Sequence, residues 1–316
     1  MAKLSPTPIL IEKNFASVAR ELRTNFEKKF ADPRKTHPDR FVWDYWHIEN
    51  QYSVLRTPAR YYFPKAIFEK LERALVGFGQ SRLGCNGISD PWLSLYLDGS
   101  YQNFHADSPH GPWAYVYSLT PWKKREFSGG ETLVARDSLL NFWPHFSRER
   151  RNERGIEFDD LFTAIAPEFN QLTLFDPRLP HAVKEVRGSR DPLKGRLVVH
   201  GWFVEPGPFV QGALAAKSAV HRQTGKYLDK ILEPLSRELG NFGALQGTLS
   251  VRVSVGANGR TGRQELLTHT LIDSEQPFES DLPHEAIRKI AETLADARFP
   301  SSNGKSAITV PFLFRN

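Results

Sequence analysis

A histidine and an aspartate two residues apart, His105 and Asp107, form a pair with side chains suited to binding a metal ion. In an extended strand, residues i and i+2 point to the same side, so the imidazole and the carboxylate can reach one metal ion. Composition alone supplies roughly 0.5 such pairs by chance in a chain of this length. A second pair, His37 and Asp39, lies in a polar, proline-bounded loop, and we interpret it as coincidental.

The surroundings of the first pair are more informative than the pair itself. A third candidate ligand, His181, follows further along the chain, and Arg196 opens a strand-like run soon after it. Two histidines and one carboxylate on one face of an iron ion leave three positions open, which is typical of non-haem Fe(II) oxygenases. A 2-oxo acid can fill two of these positions and dioxygen the third. An arginine suits the second carboxylate of such a co-substrate, because its planar fork binds a carboxylate bidentately and keeps its charge when desolvated.

The ordered set of motifs resembles the 2-oxoglutarate/Fe(II)-dependent dioxygenases, and within them the prolyl-4-hydroxylase-like branch, including the ribosomal-protein prolyl hydroxylases. The motifs are Tyr96-x-x-Gly99, His105-x-Asp107, Gly129-Gly130-Glu131-Thr132, His181, and Arg196 with Gly201-Trp202-Phe203. The resemblance implies an α+β fold built on a double-stranded β-helix, a jelly-roll barrel. It also implies that His105, Asp107 and His181 bind the metal and serve as the catalytic centre.

The same resemblance assigns the co-substrate site and the reaction. Arg196 and Tyr96 are expected to bind 2-oxoglutarate. The expected reaction uses Fe(II), 2-oxoglutarate and O2, with ascorbate in a supporting role, and hydroxylates a C–H bond while releasing succinate and CO2. The second pocket tyrosine of prolyl hydroxylases is replaced here by Gln102, although Tyr101 is adjacent, which leaves prolyl specificity open. Nucleic-acid demethylases of the superfamily carry a second arginine where this chain has Trp202, which argues against a nucleic-acid substrate.

Several substrates and functions stay open at this point. The substrate is a peptide, protein or amino-acid side chain, with proline as one candidate, or a small secondary metabolite. Desaturation and ring formation use the same iron centre. A non-catalytic barrel that binds a ligand is a further alternative. A zinc hydrolase would leave the arginine and the Gly-Trp-Phe strand unexplained.

The order of apolar patterns predicts three parts. Residues 1–91 form an N-terminal helical part of the oxygenase, 92–206 form the barrel, and 207–316 form a helix followed by a small α+β domain. The barrel strands are predicted at Trp92–Leu97, Ala114–Leu119, Thr132–Ala135, Gln171–Phe175, His181–Val186 and Arg196–Val204.

The last part follows the order strand, strand, helix, strand. This order and the segments Leu249–Ser254, Arg298–Pro300 and Ile308–Phe312 are similar to the C-terminal domain of TonB-type energy transducers. The sequence shows no membrane anchor before it, so we interpret the domain as a protein-binding or dimerisation module, or as a structural extension of the oxygenase.

Composition restricts the class of protein. The chain is 40% hydrophobic and 25% charged, values typical of a soluble globular protein. It shows no run of apolar residues long enough to span a membrane, no apolar signal sequence, and one cysteine, Cys85, so we expect a cytoplasmic protein without disulfides. The net charge of +6 includes a basic run at 148–154 and favours an anionic partner or substrate, or a solvated basic surface.

Other residues are given simpler interpretations. His110 is expected on the rim of the pocket rather than on the metal, and His200 on the same strand face as Arg196, beside the site. Cys85 is expected to be an ordinary buried or half-buried thiol. The aromatic segment Phe41–His47 is expected to line a substrate groove or a closed pocket.

Overall fold

The computed structural model describes residues 6–31, 42–107, 110–136, 158–216, 218–276 and 280–314. The chain divides into two compact units. The barrel unit consists of Ile9–Val76 and Ile88–Val204. The C-terminal unit consists of Met1–Pro8, Gly77–Gly87 and Glu205–Asn316. Residues 77–87, which the sequence pattern assigns to the N-terminal part of the oxygenase, therefore group with the C-terminal unit.

The strands in the first two thirds of the chain are mostly short, and they pair with their neighbours in the antiparallel sense. They are β1 (Ile9–Lys13), β2 (Asp44–Ile48), β3 (Tyr52–Pro58), β4 (Cys85–Ile88), β5 (Trp92–Tyr96), β6 (Tyr101–His105), β7 (Trp113–Ser118), β8 (Thr132–Ala135), β9 (Phe162–Ile165), β10 (Gln171–Phe175), β11 (His181–Val183) and β12 (Arg196–Pro206). The helices among them are α1 (Ala19–Phe30), α2 (Ala59–Tyr62), α3 (Lys65–Phe78) and α4 (Phe158–Leu161).

Strand pairing defines the barrel. Eight strands, β5 to β12, form four antiparallel pairs. Strand β5 pairs with β12, β6 with β11, β7 with β10, and β8 with β9. This outside-in pairing of eight strands is the double winding of a jelly roll. One half of the barrel runs β10-β7-β12-β5 and the other runs β6-β11-β8-β9, with β3 joining the two halves. The predicted double-stranded β-helix is therefore confirmed.

The six predicted barrel strands all occur, although the one predicted at His181–Val186 ends at Val183. Two further strands are not predicted by the sequence pattern. Strand β6 contains polar residues on both faces (Tyr101 to His105), so it has no apolar alternation to detect, and β9 is a short segment that forms a strand through its pairing with β8.

The prediction that residues 1–91 are helical is right for α1 and α3 and wrong for β1 to β4. In α1, Leu22 and Phe26 are buried one turn apart, and in α3 Leu71 and Leu75 repeat the same spacing. The strands β2 and β3 form a hairpin, and β3 also pairs with β5. Such pairing depends on distant residues, which helical periodicity cannot indicate.

The C-terminal unit contains a second antiparallel sheet. Its elements are β13 (Phe209–Gly212), α5 (Ser218–Leu239), β14 (Leu245–Val255), β15 (Thr261–His269), β16 (Ile272–Asp273), α6 (Leu282–Asp296) and β17 (Ser306–Phe314). The sheet order is β13-β17-β14-β15, with β16 on β14. The predicted order of strand, strand, helix, strand is confirmed, and the resemblance to TonB-type domains stays a prediction.

The core of this unit is made of aliphatic side chains from both sheet and helices. Ala286, Ile290 and Leu294 follow each other at four-residue intervals along α6 and pack with Leu249 and Ile308 of the sheet. Among the described helices, none combines the length and the apolar character that crossing a bilayer requires.

Candidate active site

The three predicted metal ligands meet at the mouth of the barrel. His105 ends β6 and His181 begins β11, and the two residues are direct partners in the antiparallel pair. Asp107 follows β6 by two residues, and its backbone N–H donates to the carbonyl of Pro177 at 2.8 Å, which holds the loop beside β11. Asp107 Oδ2 lies 3.4 Å from His181 Nε2, and Asp107 Oδ1 lies 3.8 Å from His105 Nε2. The three ligand atoms are all within 4.8 Å of one another.

Backbone carbonyls orient both imidazoles. His105 Nδ1 lies 2.8 Å from the carbonyl oxygen of Asn103, and His181 Nδ1 lies 2.9 Å from that of Leu179. A carbonyl accepts only, so each Nδ1 carries the proton and each Nε2 presents its lone pair to the cluster. This is the arrangement by which outer partners fix metal-binding histidines. The donor set of two imidazole nitrogens and one carboxylate therefore fits an Fe(II) ion with open positions.

The electrostatics of the cluster keep its groups in metal-binding forms. Burial and the neighbouring His181 lower the pKa of His105, so its imidazole resists protonation. Burial alone would raise the pKa of Asp107, but the neighbouring imidazoles of His181 and His105 favour the carboxylate and outweigh it, and the pKa is lowered. Gln102 Nε2 lies 3.1 Å from His105 Nε2, and its amide donates to the lone pair that a metal would use.

Arg196 is the most deeply placed charge of the barrel unit's described residues. It begins β12, directly opposite Tyr96 on β5, and only 1% of its surface is exposed. Its Nη2 donates to Thr132 Oγ1 at 3.1 Å, across the interior of the barrel. Its Nε and Nη1 are buried without a hydrogen-bond partner in the described part of the chain. Burial lowers the pKa of Arg196, partly opposed by Tyr96, yet guanidinium remains charged at neutral pH. A buried cation with two unused donors is a site for an anion.

A glycine turn places Thr132 opposite this arginine. Gly129 has a φ of +73°, and a Cβ there would lie 1.8 Å from the carbonyl oxygen of Glu185. Only glycine therefore allows the chain to pass this close to the segment after β11 and enter β8 at Thr132. Tyr96 completes the pocket, with its ring 4.4 Å from the guanidinium carbon of Arg196.

One cavity of about 220 Å³ contains all five predicted site residues. They are His105, Asp107, His181, Arg196 and Tyr96. The predicted neighbours His110 and His200 also line it. His110 stacks on Trp202 with ring centroids 4.5 Å apart, and His200 Nε2 lies 2.8 Å from Ser94 Oγ. Burial first, and then the charges of Arg196 and Arg56, lower the pKa of His200 to about 3, so it is neutral at physiological pH.

Several residues of the site are not predicted by the sequence pattern. Thr132 enters there only as part of a motif, and Gln102 only as a departure from the family pattern. Arg56 lines the cavity from β3, a strand that helical periodicity does not indicate. The signal for Arg56 is a single charge in the strand Tyr52–Pro58, but nothing local shows which way its side chain points.

Other sequence predictions have simpler outcomes. Cys85 is buried, and burial raises the pKa of its thiol to about 12, as expected for an inert cysteine. In the aromatic segment, Tyr45 is largely exposed while Trp46 packs against Trp92 beside the cavity. The pair His37 and Asp39, Phe41 and the basic run 148–154 lie outside the described residues.

Many solved structures are similar to this chain, and three prolyl hydroxylases are among them. A prolyl-4-hydroxylase from Pseudomonas putida is 15% identical, with a TM-score of 0.42, over 63% of this chain and 92% of that chain. A prolyl hydroxylase from Trichoplax adhaerens, in complex with a hypoxia inducible factor peptide fragment, is 15% identical with a TM-score of 0.43, over 63% and 84%. A collagen prolyl hydroxylase of Paramecium bursaria Chlorella virus-1 is 14% identical with a TM-score of 0.39, over 62% and 95%.

No family model matches the sequence, and no curated protein matches it. At TM-scores below 0.5 the structural likenesses do not decide the function. The class of site is defined by the chain's own geometry: a jelly-roll barrel with a two-histidine, one-carboxylate cluster at its mouth and a buried arginine in the same cavity.

Proposed function

We propose that this protein is an Fe(II)- and 2-oxoglutarate-dependent dioxygenase that hydroxylates a C–H bond. The observation that carries the proposal is the coexistence, in one cavity, of the cluster His105, Asp107 and His181 with the buried and incompletely hydrogen-bonded guanidinium of Arg196. A metal alone would not need the arginine, and an anion site alone would not need three converging ligands.

The residues of the chain have separate tasks in this proposal. His105, Asp107 and His181 would hold the iron through two imidazole nitrogens and one carboxylate. Arg196 would bind the far carboxylate of 2-oxoglutarate, for which its Nε and Nη1 are the buried donors without partners among the described residues, while Thr132 keeps the guanidinium in place. Tyr96 covers one face of the guanidinium and forms part of the wall. Orienting the co-substrate from its far end fixes which of its atoms meet the metal.

When bound, iron and 2-oxoglutarate supply the oxidising power, since they activate dioxygen as the co-substrate is converted to succinate and CO2. The chain's part is to position both groups and to exclude water. Phe175 packs against the His181 ring at 4.6 Å, and Val198 adds to the apolar wall. The described cavity residues contain no serine or cysteine nucleophile paired with a base, and a hydroxylation of this kind needs none.

The proposed substrate is a peptide, protein or amino-acid side chain. Proline is one candidate, since the motifs resemble the prolyl-hydroxylase branch. Gln102 stands where that branch has a second tyrosine. Its Nε2 contacts His105, and its Oε1 accepts a long hydrogen bond of 3.4 Å from the Tyr96 hydroxyl. A small secondary metabolite is the alternative substrate.

We further propose that the C-terminal unit is a protein-binding or dimerisation module.

Succinate formation tests the proposal directly. Protein purified without oxygen would receive Fe(II), 2-oxoglutarate, ascorbate and O2, with succinate measured by mass spectrometry. We expect turnover in the unaltered protein and its loss in His181→Ala and Arg196→Ala. Matched controls are His221→Ala, an exposed histidine, and Arg190→Gln, whose side chain is 88% exposed.

Spectroscopy separates the alternatives. A visible absorption band that requires both Fe(II) and 2-oxoglutarate would show the co-substrate on the metal, and Arg196→Ala should weaken it. If the unaltered protein shows neither turnover nor this absorption band, the proposal is overturned, and a barrel that only binds a ligand is favoured.

A further inference from the structure

A second arginine, Arg56, enters the cavity from a different strand. It lies on β3 opposite Ser94 of β5, and Ser94 lies opposite Val198 of β12, so the three residues form one row across the sheet. Tyr96 and Arg196 form the next row on the same face. The two arginines therefore line different parts of one cavity.

Two tryptophans hold the Arg56 side chain in place. Its guanidinium carbon lies 3.1 Å from the ring centroid of Trp46 on β2 and 4.3 Å from that of Trp92 on β5. The two rings are themselves in contact, with an interplanar angle of 60°, so the guanidinium lies in the angle between them. Aromatic faces attract a cation but leave the in-plane N–H groups unused. The arginine is thus fixed in position while its hydrogen-bonding edge is available.

Arg56 has no counter-charge within ion-pair distance among the described residues, and its Nε is buried without a hydrogen-bond partner there. Asp44, its register partner across the β2–β3 pair, does not approach within the 4.0 Å of an ion pair. The anionic residue described in the cavity lining is Asp107, which belongs to the metal cluster. Once Fe(II) and the dianion 2-oxoglutarate are bound, Asp107 and the two carboxylates balance the metal and Arg196. The charge of Arg56 then remains unmatched among the described cavity residues.

We infer that Arg56 is a substrate-binding residue and that the substrate carries a carboxylate, which the Arg56 fork binds between Trp46 and Trp92. The inference rests on the proposed function and narrows its substrate class. A carboxylate matches the fork bidentately, and the prior fixing of the side chain by the tryptophans lowers the entropy cost of binding. Two sources of this group fit: the α-carboxylate of a free amino acid, and the acidic side chain of a peptide residue.

The test is a binding titration that does not need turnover. Protein loaded with Fe(II) and 2-oxoglutarate under nitrogen would be titrated by calorimetry with paired probes. One set contains the N-acetyl forms of the common amino acids as free acids, and the other contains the same compounds as primary carboxamides. Capped aspartate against asparagine, and capped glutamate against glutamine, separate the side-chain source from the α-carboxylate source.

We expect at least one carboxylate probe to bind roughly tenfold to a hundredfold more tightly than its carboxamide, as removal of a charge-assisted hydrogen bond implies. Arg56→Gln should remove most of that preference, and Arg56→Lys should retain part of it. Arg190→Gln is the matched control, since Arg190 is an exposed arginine paired only with Asp98 among the described residues, and it should leave the preference unchanged.

Each outcome either supports the inference or overturns it. If no carboxylate probe binds more tightly than its carboxamide, or if Arg56→Gln weakens both members of each pair equally, Arg56 has only a packing role and the inference fails. A lowered melting temperature with an unchanged preference leads to the same conclusion. If the unaltered protein shows no band dependent on Fe(II) and 2-oxoglutarate, it is the proposed function that fails.

Discussion

In both sheets of this protein, alternate residues of each strand point to a buried interior, but the side chains at these positions differ in chemistry. In the barrel unit, the inward face of β5 and β12 presents Tyr96, Arg196 and Val198 to a cavity. In the C-terminal unit, the corresponding inward row on β14 and β17 presents Leu249 and Ile308 to helices. Both rows are buried. The first contains guanidinium N–H groups of Arg196 that have no hydrogen-bond partner in the described part of the chain, whereas the side chains of Leu249 and Ile308 in the second have no polar atoms.

The difference shows how each unit uses its buried positions. A buried polar group without a partner destabilises the fold, so its retention indicates a ligand that supplies the missing partner. An aliphatic core stabilises the fold and needs no ligand. We therefore expect substitutions in the barrel cavity to affect binding and chemistry, and substitutions in the C-terminal core to affect stability.

The largest effect is expected from Asp107→Ala. The change removes the one carboxylate of the cluster, and Fe(II) or Mn(II) affinity should fall on the order of a hundredfold or more, beyond the effect typical of an outer partner. Metal titration followed by equilibrium dialysis measures it. Asp159→Ala, at an exposed position of α4, is the matched control. Unchanged affinity in Asp107→Ala would remove Asp107 from the metal site.

Ile290→Ala tests the other side of the comparison. Ile290 is fully buried in the C-terminal core, and its truncation should lower the free energy of unfolding by about 2–5 kcal/mol. Urea denaturation monitored by circular dichroism measures the loss, with each unit's transition followed separately where they differ. The KM for 2-oxoglutarate should stay unchanged under conditions where the protein remains folded. A large rise in KM would break the division between the two sheets.

Arg196→Lys should raise the KM for 2-oxoglutarate about tenfold to a hundredfold with a smaller effect on kcat. Lysine retains a positive charge but lacks the planar fork and the bond geometry toward Thr132. Steady-state succinate formation at varied 2-oxoglutarate gives both constants. An equal KM in the two proteins would mean that the far carboxylate binds elsewhere.

The smallest effect near neutral pH comes from the titration of His200. The pKa of His200 is lowered to about 3 in the folded protein, against about 6.5 for a free histidine, so the unfolded chain binds the proton first. Its contribution to stability is complete above pH 6.5 and decreases as pH falls from 6.5 toward 3, by less than about 1.4 kcal/mol per pH unit. His200→Asn should flatten this part of the stability profile. An NMR titration showing His200 protonated at pH 6 would contradict the prediction.

Much of the site could be predicted because its residues lie in recognisable local patterns. His105 and Asp107 share a face of a strand end by their spacing, and Arg196 opens a strand of β-branched residues. Fold class, most barrel strands and the order of elements in the C-terminal unit likewise follow from composition and turn residues. The first hundred residues are predicted less well, since β2 and β3 are defined by pairing with each other and with β5.

What the sequence alone determined, then, is the set of chemical groups, because strand alternation and motif spacing are local properties. What only the tertiary structure decided is which groups meet. Strand pairing places His181 beside His105, and the barrel interior places Thr132 beside Arg196. The rings of Trp46 and Trp92 hold the Arg56 guanidinium between them. These contacts join residues far apart in the chain, and the free energy that selects them comes from closing the whole barrel rather than from any single segment.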